Sequence, residues 1–82
     1  MSLNPRIASW SGRGVWVIGA STGIGAALAR ELINAGARVA LSARSRERLA
    51  AIAEGTDAVV APVDITDRAA VRAAASAVRD AL

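Results

Sequence analysis

Cysteine, histidine, tyrosine, phenylalanine and lysine are all absent from this 82-residue chain. Without cysteine there is no disulfide framework and no thiolate chemistry. Without cysteine and histidine the usual zinc ligands are gone, so no metal site is expected. Tryptophan is the only aromatic type, and no apolar run reaches the ~18 residues of a membrane-spanning helix. The start, Met1-Ser2-Leu3-Asn4-Pro5-Arg6, lacks the apolar core of a secretion signal. These absences lead to the expectation of a cytoplasmic protein with no membrane partner. The net charge is +3, and arginine carries all of the positive charge. Most arginines alternate with acids or fall on outer faces of expected helices: Arg30 beside Glu31, Arg46 and Arg48 around Glu47, Arg68 beside Asp67, Arg79 beside Asp80. That pattern describes solvated helix faces. No aromatics are interleaved for base stacking, so no nucleic-acid partner is expected.

What is present is apolar and rich in alanine, at 54 % hydrophobic residues, too much for a disordered chain. The length allows one small domain or a piece of a larger one. Residues 1–13 read as a loose polar lead-in, and residues 14–82 as a folded unit. Gly14 to Ile18 is apolar throughout, as a central parallel strand covered on both faces would be. Gly23 to Ala35 reads as a helix, with Ile24, Leu28, Leu32 and Ile33 on one buried face and Ala27 and Ala35 between them. Gly36 ends it. Arg38 to Ala43 reads as strand two. Ser45 can cap a helix over Arg46 to Glu54, buried through Leu49, Ile52 and Ala53. Ala58 to Val63 reads as strand three. Thr66 or Asp67 caps a last helix to about Leu82, with Val71, Ala75, Val78 and Leu82 in line. Strands alternating with helices over short connections imply an α/β fold with a parallel sheet and right-handed crossovers. The βαβαβα order is half of a doubly wound, Rossmann-type sheet, truncated before strand four.

The most informative stretch is Gly19-Ala20-Ser21-Thr22-Gly23-Ile24-Gly25, between the first strand and the first helix. A helix start presents unpaired N–H groups and a partial positive charge, and glycines let an anion approach the backbone. Gly19 is expected to make the tight turn, and Gly23 and Gly25 to admit a diphosphate. Ser21, Thr22 and Ile24 can offer N–H groups, and Ser21 and Thr22 hydroxyls as well.

G-x-x-x-G-x-G at this place resembles the cofactor fingerprint of the short-chain dehydrogenase/reductase family. It differs from G-x-G-x-x-G, whose last glycine would fall on Leu28 here. One departure is Ile18, where the family usually has threonine. The resemblance runs from Gly14 to Asp80 and covers the first third of a typical member. It implies a dinucleotide cofactor.

The end of strand two chooses between cofactors. A carboxylate there accepts hydrogen bonds from the ribose of NAD. Ala43 occupies that place, followed by Arg44, whose guanidinium can hold a phosphate through two parallel bonds. Arg44 resembles the arginine of NADP-preferring members, with Ser42, Ser45 and Arg46 as possible helpers. The competing reading is an ordinary loop arginine. The family's other NADP marker, a basic residue inside the glycine turn, is replaced by Thr22. NADP rather than NAD is expected. Asp64-Ile65-Thr66-Asp67 resembles a family segment in which the aspartate accepts the adenine amino group and the next N–H meets a ring nitrogen. Those residues would be Asp64 and Ile65, although Asp64 and Asp67 could simply cap the last helix.

Family members transfer hydride with a Tyr-x-x-x-Lys pair, supported by a serine and an asparagine. This sequence has neither tyrosine nor lysine, and it ends before the family's Asn-Asn-Ala-Gly segment. No catalytic residue is assigned. The expectation is the cofactor-binding N-terminal portion of an NADP-dependent oxidoreductase, inactive alone, with a small-molecule substrate bound by a later part. The alternative is a non-catalytic NADP-binding or regulatory module. Full-length members are usually homo-oligomers. The fragment is expected to self-associate, because strand one would be an unpaired apolar edge without strand four.

Overall fold

The computed structural model describes residues 10–82. It contains β1 (Gly14–Ile18), α1 (Gly23–Asn34), β2 (Arg38–Ser42), α2 (Arg46–Ala53), β3 (Val59–Val60) and α3 (Arg68–Ala81). The three strands form one parallel sheet in the order β1-β2-β3. β2 is therefore central and β1 lies at an edge. Of the lead-in expected over residues 1–13, positions 1–9 lie outside the described residues. Trp10–Arg13 form a turn tied to the α1–β2 connection. Gly12 N–H donates to the Gly36 carbonyl at 3.1 Å, and Arg38 N–H to the Arg13 carbonyl at 2.7 Å.

The sheet alternates as its pleat requires. Val17, Val39, Leu41 and Ala43 join Ala26, Ala29, Leu32, Leu49 and Ile52 in one core cluster beneath α1 and α2. β2 is buried almost throughout, as a central strand covered on both faces should be. On its other face lies Ser42, wholly buried. Its hydroxyl accepts the Trp16 Nε1–H at 2.7 Å and donates to the Ala61 carbonyl at 2.7 Å, so one side chain bridges all three strand paths. The expectation that Ser42 helps at a cofactor is thereby corrected, because both sides of its hydroxyl are engaged within the sheet.

Strand three is shorter than the expected Ala58 to Val63. Its ladder continues irregularly, with Ala61 N–H donating to Leu41 O at 2.9 Å and Val63 N–H to Ala43 O at 3.0 Å. Pro62 falls between these two donors, where its missing N–H would face away from β2. An edge tolerates that, but regular strand geometry is interrupted.

The buried face of α1 is also different. Ile24 is 88 % exposed and Leu28 45 %, while Ala26, Ala29 and Leu32 are buried. Ala27 and Ala35 are exposed too. The cause lies at the helix start, where a Cβ on Gly25 would collide with the Gly19 carbonyl. That contact sets α1 close on the turn, and the first turns of the helix present Ala26 and Ala29, rather than Ile24 and Leu28, to the sheet, with Leu32 buried further along. The remaining helix ends agree with their caps. Ser45 Oγ accepts Arg48 N–H at 3.2 Å, and Asp67 Oδ1 accepts Ala70 N–H at 3.1 Å. Val78 is buried on α3, with Val71, Ala75 and Leu82 half-buried beside it. Among the described residues no helix is long and apolar enough to cross a membrane, and no three or more aspartates or glutamates cluster as metal ligands would.

Candidate functional site

The carboxyl ends of all three strands open into one groove of ≈ 530 Å³. β1 contributes Ile18 and Gly19, the residues after β2 contribute Ala43 and Arg44, and those after β3 contribute Val63, Asp64, Ile65 and Thr66. Ser21 completes the lining. Ligands of open parallel sheets bind in this position, beyond the strand ends. A somewhat larger cavity of ≈ 590 Å³ lies at the opposite end of the sheet. It is bordered by Asn34, Thr56 and Leu82, near the C-termini of the three helices. Helix C-termini carry partial negative charge, and the one arginine in the lining, Arg38, already donates to the Ala81 carbonyl there.

The glycine turn divides its work in a way the sequence does not show. Gly19 has φ +79° and Gly23 φ +57°, and a Cβ on either would meet nothing within 4 Å. Both need the left-handed region and both border open space, as an anion cradle requires. Gly25 differs, because its Cβ space is filled by the backbone of Gly19. Its expected task of admitting a phosphate is corrected to close packing of the helix start on the turn. The turn itself is held by β2, whose Ser42 carbonyl accepts the N–H groups of Gly19 at 2.7 Å and Ala20 at 3.1 Å.

The start of α1 is uncapped. Thr22 sits at the N-cap with extended backbone, but its side chain makes no capping bond. The first turn holds no acid. The helical ladder begins with Ala26 N–H to the Thr22 carbonyl at 3.3 Å. The amides of Gly23, Ile24 and Gly25 thus precede the ladder, where an external acceptor can meet them. By contrast, α2 and α3 are closed by Ser45 and Asp67.

On the other wall, Arg44 Nη2 lies 3.2 Å from Asp64 Oδ2, with the two side chains 77 % and 44 % exposed. Asp64 Oδ1 accepts both the Thr66 N–H at 2.9 Å and the Thr66 hydroxyl at 2.7 Å. The Thr66 hydroxyl and amide, with a smaller contribution from Arg44, hold the Asp64 carboxyl below the ordinary carboxylate value of 3.8. Asp67 takes the cap of α3, which leaves Asp64 free of that task. Ser45 is committed to capping α2, and Arg46 does not line the groove. Sequence reasoning missed Thr66 as the partner of Asp64. An aspartate two residues before a threonine is an Asx-turn signal that could have revealed it.

A parallel sheet with a glycine turn at the end of its first strand, leading into an uncapped helix, is one half of a doubly wound α/β fold. The profile of the short chain dehydrogenase family matches residues 13–82, and the chain belongs to that family. It is 43 % identical to a metagenomic short-chain oxidoreductase solved in complex with NADP, with a TM-score of 0.81 over 90 % of this chain and 36 % of that one. It is 29 % identical to 3-ketoacyl-(acyl-carrier-protein) reductase from Brucella melitensis, solved with NADH, with a TM-score of 0.80 over 85 % of this chain and 30 % of that one. Among curated proteins it is 44 % identical over 63 residues to glycine betaine reductase of Emericella nidulans, matching 71 % of this chain and 5 % of that protein. The chain spans about a third of the solved relatives and a small fraction of the curated one.

Proposed function

We propose that this chain is the cofactor-binding portion of an NADP-dependent oxidoreductase that reduces carbonyls or oxidises alcohols. The observation that carries the reading is the groove at the strand ends, which Gly19 and Ser21 of the glycine turn line together with Arg44 and Asp64. The residues present fit a nicotinamide dinucleotide. Gly19 and Gly23 leave room where a side chain would intrude, and the open amides of α1 suit a diphosphate. Asp64 and the Ile65 N–H suit an adenine edge. Arg44 suits a phosphate on the ribose, and no carboxylate stands at Ala43 to oppose it. Solved relatives hold NADP in one case and NADH in another, so the preference for NADP rests on Arg44 rather than on kinship.

The nicotinamide supplies or accepts hydride when bound. The residues of this chain bind and orient that cofactor, and with no tyrosine or lysine they offer no Tyr-x-x-x-Lys pair as proton donor. The 82 residues alone are therefore expected to bind NADPH without turnover.

Calorimetric titration of the chain with NADPH and NADH tests the reading. Saturable binding with NADPH the tighter ligand is expected. Absence of binding to either nucleotide would overturn it.

A further inference from the structure

Asp64 is fixed more firmly than its partner. Two donors from Thr66 hold Oδ1, and Oδ2 faces Arg44 at 3.2 Å. The Arg44 side chain is 77 % exposed, and its bond to Asp64 is a single exposed contact. An exposed pair of this kind is weak and exchangeable. Both residues line the groove, from the ends of adjacent strand paths. A carboxylate and a phosphate bearing down on one guanidinium repel each other, even though its five N–H groups could reach both.

We propose that Asp64 moderates cofactor selectivity by competing, through its carboxylate, with a ribose phosphate for Arg44. This rests on the nucleotide reading of the groove and deepens it. Thr66 keeps the carboxylate in place, so it is the guanidinium that turns when a second anion arrives. A nucleotide without the extra phosphate offers Arg44 no alternative partner and leaves the pair closed. Selectivity is then the difference between two anions at one cation, and Asp64 holds it below the value Arg44 alone would give.

The test compares adenosine 2′,5′-bisphosphate with adenosine 5′-monophosphate, titrated into the wild-type chain, Asp64→Asn, Arg44→Ala and the double variant at low ionic strength. Asn keeps an acceptor for Thr66 but removes the charge. Asp64→Asn is expected to raise the bisphosphate-to-monophosphate affinity ratio by about two- to fivefold, the range an exposed ion pair carries, because any lost adenine contact affects both probes alike. In the Arg44→Ala background that gain should shrink to less than half. A bisphosphate-to-monophosphate ratio that stays the same or falls in Asp64→Asn would make the carboxylate a scaffold and overturn the inference, leaving the nucleotide reading intact. Wild-type protein that binds neither probe would bring down both.

A second readout needs no variant. The Asp64 carboxyl carbon, followed by NMR in wild-type protein, should titrate at higher pH once the bisphosphate is bound, because Arg44 has turned away. The monophosphate should not raise it. Equal titration with both probes would overturn the competition.

Discussion

The Ser42 carbonyl oxygen accepts the Gly19 amide at 2.7 Å, which fastens the glycine turn to the central strand. The Ser42 hydroxyl meanwhile joins Trp16 to the path of β3. One residue thus couples the path of the sheet's third strand to the glycine turn.

Ser42→Ala should therefore cost more than a small side-chain change suggests. It strips a partner from the Trp16 indole N–H and from the Ala61 carbonyl. Leaving such groups unsatisfied costs about 1–3 kcal/mol. Denaturant unfolding should show that loss, with a shift in tryptophan emission from Trp16. Unchanged stability and emission would mean that water replaces the hydroxyl without cost.

Gly25→Ala should damage the protein before any ligand is added. Its Cβ meets the Gly19 carbonyl, so the helix start must move away from the turn. Overpacking of this sort costs about 1–3 kcal/mol. Gly23→Ala meets no atom and suffers only its positive φ of +57°, at about 1–2 kcal/mol. Unfolding midpoints and nucleotide affinity, measured on both variants, should separate them. Gly25→Ala should lose at least as much stability, and both should bind nucleotide more weakly.

Arg44→Ala, placed in a full-length relative that carries this segment, should erase most of the preference for NADPH over NADH. Charge-assisted bonds to phosphate support a loss of about tenfold in the ratio. Comparable affinities for the two cofactors before the substitution would refute the assignment of Arg44.

The Asp64 carboxyl, lowered chiefly by the Thr66 hydroxyl and amide, links stability to acid. A group whose folded value lies below its unfolded value stabilises the protein above the unfolded value. That contribution should be complete above the ordinary 3.8 and should fade as pH falls through the lowered folded value. Wild type should exceed Asp64→Asn in stability at neutral pH, and the gap should close in acid. A gap that persists unchanged to low pH would contradict the linkage.

Self-association should accompany the free side of β1. Among the described residues that strand pairs only with β2, and Ile24 and Leu28 expose an apolar stripe on the neighbouring helix. A second copy of the chain is the expected partner. Sedimentation should show a concentration-dependent dimer or larger species, weakened by Leu28→Glu. A monomer at every concentration would remove this expectation.

Much of the site was legible in advance because its signals are local. A glycine at positive φ, a serine or aspartate at a helix start and an arginine after a strand each act within a few residues of themselves. Gly19, Gly23, Ser45, Arg44 and Asp67 stand where that local chemistry puts them. Ile24 was misread because an apolar stripe on a helix states which residues could be buried, not which will be. α1 has more apolar surface than the sheet can cover, and with its start packed on Gly19 it buries Ala26, Ala29 and Leu32 instead of Ile24 and Leu28. Ser42 was misread because its sequence position next to Arg44 says nothing about which face of the sheet receives its hydroxyl.

The order of elements, the parallel sheet and the glycine turn before α1 follow from the sequence alone, since periodicity and backbone preference act over short stretches of chain. Tertiary structure decided the rest. It made Gly25 a packing residue and Ser42 a brace of the sheet. It set Asp64 against Arg44 across a groove whose two walls lie 20 residues apart in the chain. Such pairings depend on the register between strands and the depth to which a helix settles, and no single segment encodes either.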